Sequence, residues 1–321
     1  MNPTEYKPQT KPLLGISRCL LGDEVRFDGG HKRSKYIIDT LGQHFDYVRV
    51  CPEVEAGLPV PRPSIRQVRT DDGLKVLSSK GDDVTGALFG ACDSRTAQLK
   101  QQAIRGFIVK KDSPTCGFDR VRVYRGQTPE RSGRGVFVSA LAAKMPNLPI
   151  EDEGRLNDAR LRENFITRVF TYDRFRTLVE SSPAPRDLMA FHGEHKYLLL
   201  AHAPALTRHL GRLVAASSKK DINTVLSRYE DEMMSALAKP AKIGGHVNAL
   251  QHIGGFLKGY LNPNTRSHLA ETIDAYRRGE IPLITPITLL NHHLTSVGHR
   301  WVRQQRYLNP YPASLSLRNR I

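Results

Sequence analysis

The chain has 321 residues, 39% of them hydrophobic, and a formal net charge of +16 at pH 7. This length suggests about two domains with ordinary apolar cores, and no apolar run approaches the roughly 18 residues that a bilayer-spanning helix needs. The polar start, MNPTEYKPQTK, lacks the pattern of a signal peptide. We therefore expect a soluble, cytoplasmic protein without a membrane partner.

The positive charge is spread over the whole chain. Residues 151–321 contain 24 Lys and Arg against 16 Asp and Glu, which is half of the total excess. A basic balance in both halves favours a polyanionic partner that contacts both, and nucleic acid is the usual one. A basic protein without such a partner is the alternative.

Residues 12–150 alternate short apolar runs with helical patterns, which predicts an α/β domain with a mostly parallel sheet and flanking helices. The runs typical of strands are PLLGIS, YVRV, LKVL, GFIVK and VRVY. The segments typical of helices are SKYIIDTLGQHF, DSRTAQLKQQAI and FVSALAAKM.

The pattern changes after PNLPIEDEG. From there apolar residues recur at helical spacing, as in Leu161, Phe165 and Val169, and Pro and Gly separate the segments. We predict a domain boundary near this point, with an α/β domain at residues 1–155 and an all-α domain at residues 156–321. No strand is expected within residues 190–300.

Three of the four cysteines follow predicted strands. Cys19 comes after LLGIS, Cys51 after YVRV and Cys116 shortly after GFIVK. Ligands of open parallel sheets gather outside the carboxyl ends of the strands, so these side chains could converge. No CxxC pair is present, and on spacing alone three buried thiols are an equally good interpretation.

The neighbours of these cysteines favour a functional site. Glu53 lies two residues after Cys51, and Ser113 lies three residues before Cys116. Gly117 would allow the backbone to turn tightly. A carboxylate and a hydroxyl beside three thiols are unusual in a core and useful in an active site.

Several segments carry a family resemblance. ISRCLLGDEVRFDGGHK, CPEVEAGLPVPRPSIRQV and KKDSPTCGFDRVRVY resemble the thiouracil desulfidase-like domain, whereas FHGEHKYLLLAH and NALQHIGGFLKGYL resemble the helical YbgA-like domain. The combination is similar to the fused two-domain desulfidases that remove sulfur from 4-thiouridine in tRNA. The resemblance implies a [4Fe-4S] cluster on Cys19, Cys51 and Cys116, and catalytic roles for Glu53 and Ser113. Thr115 stands where a Ser is commoner in this motif.

The implied chemistry suits these residues. Three thiolates on a four-iron cluster leave one iron open to a thiocarbonyl sulfur, which makes the ring carbon electrophilic. Water then adds, with Glu53 moving protons and Ser113 orienting the base or the water. No net electron transfer occurs, so no nucleotide cofactor is expected.

Other functions remain open at this stage. The substrate could be free thiouracil or a thionucleoside, and the protein could instead bind nucleic acid around a structural metal site. Zinc competes with iron for three thiolates. A sulfur-inserting enzyme would normally need ATP, and the sequence has no GxxxxGK[ST] loop.

Further residues are candidates for smaller roles. Cys92, near a predicted helix start, is expected to be a packed residue outside the ligand set. Substrate or RNA contacts are predicted for charged residues beside the cysteine motifs and in the aromatic, Arg-rich segment GHRWVRQQRYLNPYP. These residues are Arg26, Asp28, Arg62, Lys110, Arg300 and Arg303.

His195, His202 and His209 recur every seven residues, but Pro204 makes one continuous helix doubtful. Buried, hydrogen-bonded histidines are favoured there over a metal site.

Overall fold

The structure is a computed structural model that describes residues 11–321. Residues 1–10 lie outside the described residues. They include most of the polar start that is predicted not to be a signal peptide. The chain divides into two compact units, the first ending at Asn157 and the second running from Asp158 to Ile321. Within the described range, no helix is both long and apolar enough to cross a membrane.

A parallel sheet forms the centre of the first unit. Its four strands lie in the order β2 (Asp46–Val50), β1 (Leu13–Ser17), β5 (Gly106–Val109) and β8 (Ile150–Asp152). Every neighbouring pair in this sheet is parallel. The β5 residues are all buried, and Gly15 lets the Phe107 ring pack directly on β1, since a Cβ there would lie 2.2 Å from that ring. The ends of β2, β1 and β5 therefore lie side by side.

A second, mixed sheet was not predicted for this unit. It contains β4 (Gly73–Ser78), β3 (Ile65–Thr70), β6 (Val121–Arg125) and β7 (Thr128–Gly133), in that order. The β3–β4 and β6–β7 pairs are antiparallel, whereas β3 and β6 are parallel. LKVL and VRVY are thus strands as expected, but they belong to this sheet and not to the parallel one.

Three α-helices belong to the first unit: α1 (Pro52–Glu55), α2 (Thr85–Gln101) and α3 (Val136–Lys144). Two of the predicted helices correspond to α2 and α3, although α2 begins eight residues earlier than DSRTAQLKQQAI. SKYIIDTLGQHF, the third, forms short turns of π and 3-10 type over residues 36–43.

The second unit is helical throughout, which confirms the predicted change of class. Its helices are α4 (Ala159–Glu180), α5 (Pro185–His202), α6 (Pro204–Ala215), α7 (Ile222–Leu237), α8 (Ile243–Gly255), α9 (Pro263–Arg278), α10 (Ile284–Val297) and the short α11 (Arg300–Arg303). Residues 190–300, all of them described, contain no strand.

The recurring histidines of this unit do not form a cluster on one helix. The helix breaks between His202 and Pro204, as the proline predicts. The Nδ1 atoms of His195 and His202 lie 2.8 and 2.9 Å from the carbonyl oxygens of Phe191 and Lys239. His209 lies on the next helix, 3.2 Å from Glu232. All three are hydrogen-bonded or ion-paired side chains.

Candidate active site

The carboxyl ends of three neighbouring parallel strands bring Cys19, Cys51 and Cys116 to one cavity of about 330 Å³. Most of the other side chains that the sequence singled out for the site line the same cavity. These are Arg26, Glu53, Arg62, Lys110 and Ser113. The convergence follows from topology, because β2, β1 and β5 are adjacent and parallel.

The backbone around Cys51 prepares this residue for a buried, charged state. Cys51 is the N-cap of α1, and the nearby backbone N–H of Val54 opposes the rise that burial causes in the pKa of Cys51. Pro52 occupies the first helical position, where its fixed φ suits helix initiation. The Cys51 amide in turn donates to a Glu55 carboxylate oxygen at 3.1 Å. Donors at the start of a helix favour a thiolate.

The Cys116 loop is held by contacts from distant parts of the unit. Ser113 Oγ accepts hydrogen bonds from the amides of Thr115 and Cys116, at 3.2 and 3.0 Å. The Gln67 side-chain amide, on β3, donates to the carbonyl oxygens of Pro114 and Arg134 at 2.7 and 2.8 Å. The second sheet therefore positions the loop that carries Cys116.

Two glycines allow this loop to pack tightly. A Cβ on Gly117 would lie 2.7 Å from the Ser113 carbonyl oxygen. A Cβ on Gly135, just before α3, would lie 2.4 Å from the Thr115 carbonyl oxygen. Neither position has room for a side chain, so both glycines are required by close backbone approach.

The three thiols are protonated at neutral pH when no cation is bound. Burial raises the pKa of Cys19 to about 11, raises that of Cys51 and raises that of Cys116 well above the ordinary range. The neighbouring cysteines add to the rise for Cys19 and Cys116, whereas a hydrogen bond from the Ser17 hydroxyl opposes it for Cys116. A bound cationic group would reverse this balance.

The donor set of the cavity bears on the kind of metal centre. Three cysteine thiols line it, and thiolates are the ligands that iron–sulfur clusters use, so these residues fit such a cluster. Within residues 11–321, no group of three His, Cys, Asp or Glu side chains is placed to hold a single metal ion.

Glu53 is fixed by partners on both carboxylate oxygens. Arg62 donates to Oε2 from Nε at 3.0 Å and from a terminal nitrogen at 2.6 Å. Thr115 donates to Oε1 through its hydroxyl at 2.8 Å. The Arg62 side chain is only 4% exposed and also bonds the Val25 and Pro59 carbonyl oxygens. Arg62 thus orients Glu53 from within the protein.

The other predicted contact residues have varied positions. Lys110 lines the cavity, and its ammonium pairs with Glu153. Arg26 also lines it and lies 3.3 Å from the exposed carboxylate of Asp28. Hydrogen bonding to the Gly30 amide and the Arg26 charge lower the pKa of Asp28, which keeps it ionised.

Cys92 and the two C-terminal arginines are not among the residues that line this cavity. Cys92 is 2% exposed on α2 and does not line the cavity. Its pKa is raised to about 12 by burial and by nearby acidic side chains. Arg300 and Arg303 lie on α11 in the helical unit.

Several site residues escaped the sequence analysis. Ser17 and Thr115 act through contacts made across long stretches of sequence, and no local pattern marks them. Phe27, Lys32 and Lys111 line the cavity, and Phe27 is 43% exposed. Two features of the sequence could have indicated these three residues. They are the aromatic residue among charged ones in VRFDGGHK and the pair of lysines before Asp112.

Comparisons with known proteins match each unit separately. Residues 14–153 match the family model described as 2-thiouracil desulfurase. Residues 196–312 match a second family, described as a protein of unknown function, DUF1722.

Individual relatives follow the same division. YbgA, an uncharacterized protein of Escherichia coli K12, is 28% identical over 165 residues, which are 51% of this chain and 98% of YbgA. YbbK, an uncharacterized protein of Bacillus subtilis 168, is 28% identical over 152 residues, or 46% of this chain and 99% of YbbK. A solved structure of the [4Fe-4S]-dependent thiouracil desulfidase TudS is 30% identical, covers 46% of this chain and 94% of its own, and has a TM-score of 0.39.

Proposed function

We propose that this chain, which belongs to the 2-thiouracil desulfurase family through residues 14–153 and to the DUF1722 family through residues 196–312, is a [4Fe-4S]-dependent desulfidase. It replaces the thiocarbonyl sulfur of a thiolated uracil with oxygen, and its substrate is 4-thiouridine in tRNA. The observation that carries the proposal is the meeting of three strand-end cysteines with Glu53 and Ser113 in one cavity.

Cys19, Cys51 and Cys116 are the residues that would hold the cluster. Each thiol must lose its proton to bind iron, so loading releases protons from groups that burial keeps neutral. The Ser17 hydroxyl lowers the pKa of Cys116 and the Val54 amide lowers that of Cys51, each against the larger effect of burial. Polar groups beside the ligands in this way favour the thiolate form and tune the centre that it binds.

When bound, the cluster supplies a Lewis-acidic iron without a protein ligand, which polarises the C=S bond. Glu53 accepts a proton from the water that attacks the ring carbon. The C–S bond then breaks and the sulfur leaves as sulfide, so that C=S and H₂O become C=O and H₂S. The Thr115 hydroxyl and the Arg62 guanidinium hold its two oxygens, so the carboxylate does not lose its orientation during the reaction.

Ser113 has a separate role. Its oxygen accepts two backbone hydrogen bonds, so its own O–H is available to donate into the cavity. A donor fixed in this way orients the base or the water.

The rim of the cavity supports a polynucleotide substrate. Lys32 and Lys111 line it, and in the described part of the chain neither ammonium pairs with a carboxylate. Phe27 exposes an aromatic face beside them. Unpaired cations suit phosphates, which a free neutral thiobase lacks, and the exposed ring suits stacking of the base.

The decisive experiment compares substrates with the cluster measured independently. Protein purified without oxygen should contain about four iron and four sulfide per chain and absorb in the visible range. We expect kcat/KM to be at least about tenfold higher for 4-thiouridine tRNA than for free 2-thiouracil, because remote phosphate contacts contribute binding energy. A colourless, zinc-loaded protein would contradict the cluster. Equal kcat/KM values would favour the free base.

Thr115→Val tests the orientation of Glu53. Valine keeps the shape of the side chain but removes the donor to Oε1. We expect kcat to fall by about 10- to 100-fold, since small misplacements of a catalytic group are costly, while the iron content stays unchanged. Thr115→Ser should restore most of the rate. Thr96→Val, at a buried threonine of α2, is the matched control. A fully active Thr115→Val enzyme would remove Thr115 from the mechanism.

A further inference from the structure

The helical unit contains a second cavity, of about 340 Å³, which lies in the size range of ligand pockets. It is formed where the start of α4, the N-terminus of α8 and the end of α9 come together. The residues that line it include Arg160, Glu163, Ile243, His246, Tyr276 and Arg320. Neither the proposed cluster nor the desulfidation chemistry involves any of them.

Three side chains at this cavity are more than nine-tenths buried and still have an unpartnered polar atom. They are Glu163, His246 and Tyr276, with 6%, 6% and 4% exposure. Glu163 Oε1 accepts from Arg318, Tyr311 and Thr167, but its Oε2 has no partner among residues 11–321. The Tyr276 hydroxyl and the Nε2 atom of His246 likewise have none within that range.

Two of these atoms are hydrogen-bond acceptors. The Tyr307 hydroxyl uses its proton to donate to the His246 carbonyl oxygen at 3.3 Å. In its second contact, at 3.1 Å, the Tyr307 oxygen therefore accepts a hydrogen bond from the Nδ1–H group of His246. Nε2 then carries the lone pair. Burial and the nearby Arg318 charge lower the pKa of His246 well below its ordinary value, which keeps the ring neutral. Together with Glu163 Oε2, the closed end of the cavity offers acceptors to a ligand with N–H groups.

The open end of the cavity has the opposite character. Arg160 and Arg320 are exposed, line the cavity and have no carboxylate partner in the described chain. Glu280, the other acidic residue of the lining, is neutralised by Arg278 at 2.6 and 2.8 Å. The N-terminus of the 13-residue helix α8 adds partial positive charge. Two unpaired guanidinium groups suit the oxygens of a phosphate.

The lining between these ends includes two aromatic rings and several apolar side chains. The Tyr276 and His246 rings meet edge to face, with centroids 6.2 Å apart. Pro240, Ala241, Ile243, Ile281 and Pro282 complete the walls. Surfaces of this kind suit a planar heterocycle better than a flexible aliphatic ligand.

We propose that this cavity is a nucleotide site, selective for a base with an exocyclic amino group. The amino group donates to Glu163 and His246, and the phosphate lies between Arg160 and Arg320. The ligand is an adenine, cytosine or guanine nucleotide, either free or as one unit of an RNA chain, whereas uracil lacks the amino group.

Calorimetric titration of the full-length protein tests the site without any sulfur chemistry. AMP, CMP or GMP should bind, and UMP should bind at least about tenfold more weakly than CMP because a carbonyl replaces the amino donor. Cytidine, without the phosphate, should also lose about tenfold or more. A short cytidine oligonucleotide that binds more tightly than CMP identifies an RNA unit, and one that does not identifies the free nucleotide.

Exposed positions provide variants that leave the fold intact. Arg160→Gln and Arg320→Gln should each weaken CMP by about tenfold, and Tyr276→Phe, which removes only a hydroxyl, should weaken it by a few-fold. Arg266→Gln, on exposed α9 surface outside the lining, should have no effect. The proposal is overturned if none of AMP, CMP and GMP binds at millimolar concentration. It is also overturned if CMP and UMP bind equally, or if Arg160→Gln binds CMP as the unmodified protein does.

Discussion

Replacing Cys19, Cys51 or Cys116 with Ala is expected to abolish cluster loading and desulfidation. Each of these cysteines follows one of three neighbouring parallel strands and lines the same cavity. The fourth cysteine of the chain does not line it, so no other thiol can replace the one that is removed. Two remaining thiolates cannot hold a four-iron cluster whose open iron must stay ligand-free. Iron and sulfide content and visible absorbance should fall to background in all three variants.

Cys92→Ala is the matched control for this experiment. Cys92 is also buried and also has a raised pKa, but it lies on α2 outside the cavity. Its replacement should leave iron content and turnover unchanged, at a cost of about 1–2 kcal/mol in stability from the lost packing. Loss of the cluster in Cys92→Ala, or a full iron content in Cys19→Ala, would contradict the assigned ligand set. Circular dichroism establishes whether each variant is folded.

The sequence predicts the position of the cysteines because the central sheet is both buried and parallel. β1 and β5 are short apolar runs, and the cysteines follow such runs directly or across a short loop. The second sheet has a weaker pattern. β7, TPERSG, is almost wholly exposed, and β3, IRQVRT, has one fully buried side chain, so neither produces an apolar run.

The interactions that orient the site are harder to predict. Arg62, a predicted substrate or phosphate contact, lines the cavity and is also bonded to Glu53, nine residues earlier, which the sequence did not indicate. Thr115 reaches Glu53 across 62 residues, and Gln67 reaches Pro114 across 47. These pairs depend on how the sheets bring loops together, and no residue type or local spacing indicates them. A carboxylate and a hydroxyl close to the cysteines could suggest Glu53 and Ser113, but not which side chains hold Glu53 in place.

The affinity of the full chain for tRNA is expected to fall steeply with salt. The excess of 16 positive charges is divided between both halves of the sequence, and the cysteine site lies in only one unit. A thiolated base must leave its stack to enter the cavity, which costs a few kcal/mol that phosphate contacts elsewhere can offset. With about six to ten such contacts, affinity should decrease by roughly 10³- to 10⁵-fold between 50 and 200 mM salt.

Charge variants locate these contacts. Lys32→Gln with Lys111→Gln removes the unpaired cations of the cavity rim, and Arg300→Gln with Arg303→Gln changes the helical unit. Each pair should reduce the slope of log K against log salt by about 2. Turnover of free thiouracil should not change. Lys80→Gln, an exposed lysine outside the cavity, is the matched control.

Removal of residues 156–321 separates binding from chemistry. Because the chain divides into two compact units, we expect the first unit to load the cluster on its own. The iron content of the truncated protein establishes whether it does. Such a protein should bind tRNA at least about 100-fold more weakly, because half of the positive charge is gone, and should retain its rate on a free thiobase. A flat salt profile would contradict the role of the helical unit as an electrostatic clamp on RNA. A truncated protein that desulfurises tRNA as well as the whole chain does would contradict it equally, since the phosphate contacts would then have no effect on the reaction.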